Sequence, residues 1–260
     1  MEWEIVHIDE TDSTNRWLRD HGDDTHDSVV VADYQTAGRG CGSNSWESER
    51  GKNLLFSMLI HPTDLAANEQ FRITEMVSVA LCETIENVLS PLSPSSSSPN
   101  LGGQVSIKWP NDIYVGGRKL CGILTENRLQ GNHIKDSIIG IGLNVNQREF
   151  HSDAPNPVSL IQLTAHETDR EALLHQFLCC FQSVTSMVTV SIQYRNRLFQ
   201  RRKLCEYRDA DGYFKATLVD VEPDGRLVLC DETGRERRYA FKEVQFMLRQ
   251  CRSIRNIKRK

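Results

Sequence analysis

The sequence predicts an α+β fold in which a mixed, mostly antiparallel sheet packs against helices and a small β unit follows at the C-terminal end. Runs of β-branched and apolar residues, the first of them at 29–31, are separated by polar turns and predict strands. Residues 68–89 carry apolar side chains at helical spacing. Past Cys205 only short strand patterns remain, which separates a domain over 1–206 from one over 207–260.

Composition limits the size and the class of the protein. The 260 residues, 39% hydrophobic and 25% charged, suit one large domain with or without a small addition. A net charge of −4 argues against a general nucleic-acid-binding protein. No apolar run has the length of a membrane span, and the first residues do not open a signal peptide, so we expect no membrane insertion.

The cysteines and histidines predict no metal site built by the chain. Eight cysteines are scattered without a Cys-x-x-Cys pair, and eight histidines show no ligand spacing. This usage is typical of reduced thiols, so we expect a cytoplasmic protein.

A strand over 4–8 is followed by four residues that favour helix N-caps, namely Asp12, Ser13, Thr14 and Asn15. A well-capped helix needs only one of them. The spare hydroxyls and amide, together with the amides of the helix N-terminus, are suited to a polar ligand head. This segment alone leaves both interpretations open.

A glycine-rich loop follows the strand at 29–31, with glycines at 38, 40 and 42 around Arg39. Glycine lets a backbone approach a ligand closely, and a guanidinium fits a phosphate or a carboxylate. The alternative is a flexible turn with one exposed arginine, because a Gly-x-Gly pattern is weak by itself.

The middle of the chain predicts further strands of the sheet. Residues 51–60 form an apolar strand, the helix over 68–89 packs on the sheet, and the Pro/Ser/Gly-rich residues 91–103 form a mobile surface connection. A strand over 105–115, interrupted at Pro110, carries Lys108. This lysine either lies on a solvated face or meets a negative ligand at the strand end.

Two more strands and a C-terminal half complete the prediction. A hairpin turn leads into the strand over 118–126, and the strand over 137–146 places Gly140 and Gly142 on one face. Such glycines allow close approach of a flat group or of a packed helix. The remaining elements are a helical region over 169–200, a barrel-like unit with strands at 213–221, 226–230 and 238–246, and a tail over 249–260 with six basic residues.

Four motifs, taken together and in order, resemble the catalytic core of biotin–protein ligases, the biotin–[acetyl-CoA carboxylase] ligase family. They are Asp-Ser-Thr-Asn at 12–15, Gln35 with Gly-Arg-Gly, Lys-Trp-Pro-Asn-Asp at 108–112 and Gly-Ile-Gly-Leu-Asn at 140–144. The resemblance covers about residues 5–250. It implies a class II synthetase-like core that binds biotin and ATP, followed by a small SH3-like β-barrel.

The resemblance also implies roles for individual residues, with biotin and ATP as substrates, Mg²⁺ as cofactor and no metal ligands from the chain. The catalytic residues would be Arg39 and Lys108. Biotin would contact Ser13, Thr14, Asn15, Gln35, Gly38, Arg39, Gly40, Lys108, Gly122 and Ile123. ATP or the adenylate would contact Arg39, Gly40, Cys41, Trp46, Lys108, Asn111, Gly140, Gly142 and Asn144.

The implied reaction forms biotinyl-5'-AMP and then transfers biotin to a lysine of a biotin carboxyl carrier protein domain in a carboxylase. Arg39, Lys108 and Mg²⁺ would offset the repulsion between the two anions. No protein nucleophile is needed, and homodimer formation stays open.

The chain departs from the family pattern in two places. Cys41 stands where the family commonly has a second arginine, so we expect faster escape of the adenylate unless Arg50 or Lys52 supplies the charge. The core starts near residue 4, so we expect no helix-turn-helix domain ahead of it and no DNA binding.

Two alternatives remain. Lipoate–protein ligases and octanoyltransferases resemble this core and also use a strand lysine, but would be expected to lack the Gly-Arg-Gly run. From another class, the basic residues at 195–203 and the tail suit a non-catalytic nucleic-acid-binding or scaffold protein.

Overall fold

The structure is a computed structural model that describes residues 3–42, 44–90, 105–152, 154, 156–184 and 187–247. The predicted connection at 91–103 and the basic tail lie outside these residues. The chain divides into two compact units, Met1–Phe199 and Gln200–Lys260. The strand that opens the second unit, Leu204–Asp209, begins ahead of the predicted boundary at 206. The roles predicted for the two domains stay predictions.

Within its described residues, the first unit holds seven strands and five α-helices. The strands are β1 (Glu4–Thr11), β2 (Ser28–Gln35), β3 (Leu54–Ile60), β4 (Val105–Lys108), β5 (Asp112–Val115), β6 (Arg118–Gln130) and β7 (His133–Leu143). The helices are α1 (Thr14–His21), α2 (Phe71–Leu89), α3 (Leu160–Thr164), α4 (Arg170–Ser183) and α5 (Met187–Asn196), with a 3-10 turn at Ala67–Glu69. No helix among the described residues combines the length and apolar character that a membrane crossing requires.

The strands of the first unit form one sheet in the order β1-β2-β3-β7-β6-β5-β4. Only β1 and β2 pair in parallel, and the other neighbours are antiparallel. The predicted α+β fold with a mixed, mostly antiparallel sheet is therefore confirmed. One face of the sheet is apolar and is covered by helices, as shown by Phe56 of β3, whose ring centre lies 5.4 Å from that of Phe177 in α4. The other face carries the glycines of β6 and β7.

Strand and helix lengths differ from the prediction where local signals are weak. The helix predicted over 68–89 is confirmed as α2. The region predicted as helical over 169–200 contains two helices, because the backbone of Val184 is extended after the end of α4. Val184 and the Thr-Ser pair that follows are poor helix formers, which favours a break at this point.

The second unit contains five strands within its described residues: β8 (Leu204–Asp209), β9 (Gly212–Val221), β10 (Leu227–Asp231), β11 (Glu236–Tyr239) and β12 (Gln245–Phe246). They form an antiparallel sheet in the order β11-β10-β9-β8-β12. The strand predicted over 238–246 is two strands, because the amide of Glu243 donates to the carbonyl of Ala240 in a turn between them. The SH3-like barrel stays a prediction.

Candidate functional site

The register of the sheet brings Lys108 onto the same face as the glycines. In the strand register, Lys108 lies opposite Asp112, Asp112 opposite Gly122, Gly122 opposite Gly142, and Gly142 opposite Leu55. Because directly opposed residues point to the same face of a sheet, these five residues form one row across five strands. We call this side of the sheet the glycine face.

The start of α1 lies on the glycine face. A Cβ atom added at Gly140 would overlap Oδ1 of Asn15 and would lie 3.0 Å from its Cγ. Asn15 is only 2% exposed, and its Nδ2 donates to the carbonyl of Leu124 over 3.3 Å. Ser57 Oγ lies 2.6 Å from Asn15 Oδ1 and 2.7 Å from Thr14 Oγ1. The absence of a side chain at Gly140 therefore makes room for the Asn15 amide.

The predicted cap residues at the start of α1 do not have a simple capping role. Ser13 is the N-cap residue of α1, but its side chain makes no capping hydrogen bond. The backbone amide of Thr14 donates to Gln35 Oε1 over 2.8 Å, and its hydroxyl lies 3.2 Å from the same oxygen. Ser13, Thr14, Asn15 and Ser57 are all buried. These four residues and Gln35 form a group of polar side chains beside the glycine face, which we call the polar cluster. This arrangement favours the interpretation that the segment at 12–15 binds a ligand.

The glycine-rich loop places Trp46 over the sheet. A Cβ at Gly142 would lie 2.7 Å from the indole Nε1 of Trp46, and a Cβ at Gly122 would lie 2.9 Å from its Cζ3. The amide of Trp46 donates to the carbonyl of Gly38 over 2.9 Å, which ties the two ends of the loop together. The flat group that the glycines admit is thus the Trp46 indole.

Lys119 is a cation of the site that the sequence analysis did not single out. Its Nζ lies 2.7 Å from Asp112 Oδ1 and 5.6 Å from the ring centre of Trp46. Plain alternation from Gly122 would point Lys119 to the helix-covered face. A register shift between Ile113 and Tyr114 pairs Tyr114 with Lys119 and returns its side chain to the glycine face.

The two predicted catalytic cations lie on this face at different ends. Lys108 Nζ is 5.9 Å from the ring centre of Tyr114. Burial lowers the pKa of Lys108, Asp112 opposes this shift and Lys119 adds to it. Arg39 Nη1 lies 3.3 Å from Oε1 of Glu126. Four residues of β6, roughly 13 Å, separate Glu126 from the row that contains Lys108.

Asn111 and Cys41 connect the turn that follows Lys108 to the glycine-rich loop that carries Arg39. Asn111 Nδ2 lies 3.1 Å from Cys41 Sγ and donates to the carbonyl of Ile123 over 2.5 Å. The amide of Ile123 donates back to the carbonyl of Asn111 over 3.1 Å. The Ile123 side chain is buried on the helix-covered face, since it alternates with Gly122, so Ile123 can line the site only through its backbone.

Asn144 lies buried just beyond β7. Its Nδ2 donates to the carbonyl of Val158 over 3.0 Å, whereas its Oδ1 has no hydrogen-bond partner among the described residues. The Nε1 atom of Trp46 is likewise buried and has no hydrogen-bond partner among the described residues. Buried polar atoms are normally paired, so these two atoms suit a polar ligand such as an adenine base. No group of three or more His, Cys, Asp or Glu side chains among the described residues could hold a metal ion.

Comparisons with known proteins agree with this geometry. Residues 8–144 match the biotin/lipoate A/B protein ligase family model. The bifunctional ligase/repressor BirA of Bacillus spizizenii is 29% identical over 224 residues, which are 82% of this chain and 64% of that protein. The biotin–[acetyl-CoA-carboxylase] ligase of Mycobacterium tuberculosis is 28% identical over 174 residues, 66% of this chain and 60% of that protein. The chain thus spans less than two thirds of the length of these curated relatives.

A solved structure shows the same fold. The biotin protein ligase from Aquifex aeolicus in complex with biotin and ATP superposes with a TM-score of 0.72 at 24% identity, over 93% of this chain and 97% of that one. The family model covers more than half of the 260 residues and includes the polar cluster, the glycine-rich loop, Lys108, Lys119 and the three strand glycines at 122, 140 and 142. The chain belongs to the biotin/lipoate A/B protein ligase family.

Proposed function

We propose that the protein is an ATP-dependent biotin–protein ligase. It forms biotinyl-5'-AMP from biotin and ATP with loss of pyrophosphate, and then transfers biotin to a lysine of a biotin carboxyl carrier protein domain. The names of its relatives, which include a biotin–[acetyl-CoA-carboxylase] ligase, support this choice within the family. A biotin-dependent carboxylase such as acetyl-CoA carboxylase is the proposed partner, and the cytoplasm, where thiols stay reduced, is the proposed location.

The polar cluster is the observation that favours biotin. The ureido ring of biotin presents one carbonyl and two N–H groups, so it needs both donors and acceptors. The buried hydroxyls of Thr14 and Ser57 and the amides of Asn15 and Gln35 offer both. The octanoyl chain and the dithiolane ring of lipoate lack such groups, and burying polar atoms against them costs free energy.

The cations of the glycine face suit the first half-reaction. The biotin carboxylate and the α-phosphate are both anionic, and negative charge grows on the phosphoryl oxygens as the new bond forms. Lys108 and Lys119 lie beside Asp112 at one end of the glycine face and are suited to offset this charge as fixed donors, whereas Arg39 lies at the other end beside Glu126. Mg²⁺ would arrive with the phosphates of ATP as part of the substrate.

The second half-reaction needs positioning rather than a protein nucleophile. A neutral lysine of the acceptor attacks the mixed anhydride and releases AMP. Water competes for the same carbonyl, so its exclusion decides the yield. The Trp46 indole, which lies on Gly122 and Gly142, is well placed to cover the anhydride.

Pyrophosphate release from ATP tests the proposal. Biotin, lipoate and octanoate are supplied separately at equal concentration. Release that depends on biotin, with lipoate and octanoate inactive, supports the ligase. Release with lipoate or octanoate but not with biotin would assign the protein to that acid. No release with any of the three acids would exclude an ATP-dependent ligase and favour an acyltransferase or a non-catalytic binding protein.

Replacing Lys108 by alanine is expected to lower kcat/KM for biotin-dependent pyrophosphate release about tenfold, because one charge-assisted contact to the reacting anions is lost. Lys108 lies at the end of β4, so its loss should shift Tm by only a few degrees. Steady-state kinetics and thermal unfolding measure the two effects. A large fall in Tm with unchanged kinetics would contradict the assignment.

Replacing Cys41 by arginine is expected to slow the escape of biotinyl-5'-AMP about tenfold. Cys41 lies beside Asn111 in the glycine-rich loop, where a guanidinium would add a second cation near the phosphate. The measurement is the off-rate of preformed adenylate in a chase with excess unlabelled biotin and ATP. Cys41→Ser, which adds no charge, is the control and should leave the off-rate near that of the wild type.

A further inference from the structure

Glu126 contacts two segments to which the resemblance assigns ligand contacts, the start of α1 and the glycine-rich loop. It lies in β6, and its side chain is 25% exposed. Its Oε2 accepts from Asn15 Nδ2 over 2.8 Å and lies 2.9 Å from Arg19 Nη2. Its Oε1 lies 3.3 Å from Arg39 Nη1. One carboxylate therefore contacts both α1 and the glycine-rich loop.

The environment keeps this carboxylate charged. Burial raises the pKa of Glu126, but the hydrogen bond from Asn15 and the guanidinium groups of Arg19 and Arg39 outweigh it. The net effect is a pKa below the ordinary value for glutamate. Glu126 is thus an anion at neutral pH and acts on its neighbours both as an acceptor and as a charge.

The contacts of Glu126 fix the orientation of Asn15. The amide nitrogen of Asn15 donates to Glu126 and to the carbonyl of Leu124, both in β6. The amide oxygen is consequently directed to the other side, where Ser57 Oγ lies 2.6 Å away. Without Glu126 the amide would lose the stronger of its two acceptors, since a hydrogen bond to a charged group exceeds one to a neutral carbonyl.

The contact with Arg39 leaves most of the guanidinium available. A guanidinium carries five N–H donors in a planar fork, and the contact with Glu126 uses Nη1. Glu126 can therefore hold the arginine from one side while the rest of the fork faces an incoming anion. A long side chain in a glycine-rich loop would otherwise lose considerable rotamer entropy on binding.

We propose that Glu126 is a positioning residue that holds Arg39 and Asn15 in the arrangement that binds the carboxylate and the ring of biotin. This inference rests on the proposed function, because it names biotin as the ligand. Glu126 touches neither the reacting atoms nor the ligand itself. It acts by reducing the disorder of two groups that do.

The test is a double-mutant cycle, in which calorimetry on the full chain gives the dissociation constant of biotin for each variant. Glu126→Gln keeps an acceptor for Asn15 and removes the charge that faces Arg39, whereas Glu126→Ala removes both. We expect Glu126→Ala to weaken biotin binding at least about tenfold and Glu126→Gln to weaken it less. In the Arg39→Ala background the effect of Glu126→Gln should fall below about twofold, because the two changes remove the same interaction.

Arg19→Ala is the matched control, because Arg19 contacts the same carboxylate oxygen as Asn15 but belongs to neither set of predicted ligand contacts. It should leave the dissociation constant within about twofold of the wild type. Equal losses for Arg19→Ala and Glu126→Ala, or additive effects of Glu126→Gln and Arg39→Ala, would overturn the role of Glu126. A wild-type chain that neither binds biotin nor releases pyrophosphate would overturn the proposed function instead. The near-isosteric Glu126→Gln variant keeps the test valid if Glu126→Ala does not fold.

Discussion

Replacing Lys119 by alanine is expected to slow the formation of biotinyl-5'-AMP by about two to three orders of magnitude, the usual loss when one fixed donor to a developing oxyanion is removed. Lys119 Nζ lies near the Trp46 ring and beside Asp112, which belongs to the row that contains Lys108. The Lys119 side chain is 27% exposed, and this partial burial strengthens its interaction with an anion. Single-turnover pyrophosphate release measures the step directly.

Lys135→Ala is the matched control for Lys119→Ala. Lys135 also lies in a strand of the same sheet and also pairs with an aspartate, Asp24, over 3.0 Å, but that pair lies away from the row of Lys108 and Gly122. It should change the rate less than twofold, because exposed ion pairs contribute little. A folded Lys119→Ala variant with a wild-type rate would show that Lys119 takes no part in adenylation.

The elements of the fold could be predicted where one pattern dominates. The apolar strand β3 and the helix α2 have long, regular patterns, and both are found close to the predicted positions. The strand β8 was not predicted, because the sequence Leu-Cys-Glu-Tyr-Arg-Asp alternates only weakly and is half charged. Short elements of this kind owe their structure to pairing with neighbours, in this case with β9.

The site shows a similar division between local and distant information. The Ser-Thr-Asn run and the glycine-rich loop are visible as motifs, since each is continuous in sequence. Ser57 was not singled out, because it lies inside a strand that is otherwise fully apolar. Its pairing with Gly140 is what brings it under Asn15.

Lys119 and Glu126 were missed for different physical reasons. A register shift opposite Ile113 changes the face on which Lys119 lies, and no sequence pattern announces such a shift. Glu126 has the appearance of an ordinary strand carboxylate until Asn15 and Arg39 are placed beside it, over 100 and 80 residues away in the chain. Contacts of that kind follow from the sheet order rather than from local sequence.

Replacing Gly140 by alanine is expected to weaken biotin binding about a hundredfold. The added methyl group would overlap Asn15 Oδ1, and Asn15 cannot move aside without losing its hydrogen bonds to Glu126, Leu124 and Ser57. Overpacking of this kind costs up to about 3 kcal/mol. Because the overlap displaces the Asn15 amide, we expect the cost to appear as a lower affinity for the ligand that this amide binds. Calorimetry with biotin gives the loss, and thermal unfolding gives the change in stability.

Ile141→Val provides the comparison that separates binding from stability. Ile141 is the next residue of β7, is 3% exposed and lies on the helix-covered face. Losing one buried methyl group should cost roughly 1 kcal/mol of unfolding free energy and leave the affinity for biotin unchanged. Gly140→Ala should show the opposite pattern, with the larger loss in affinity. If Gly140→Ala binds biotin within about twofold of the wild type, Asn15 does not contact the ring. Displacing a residue that contacts the ligand must change the affinity.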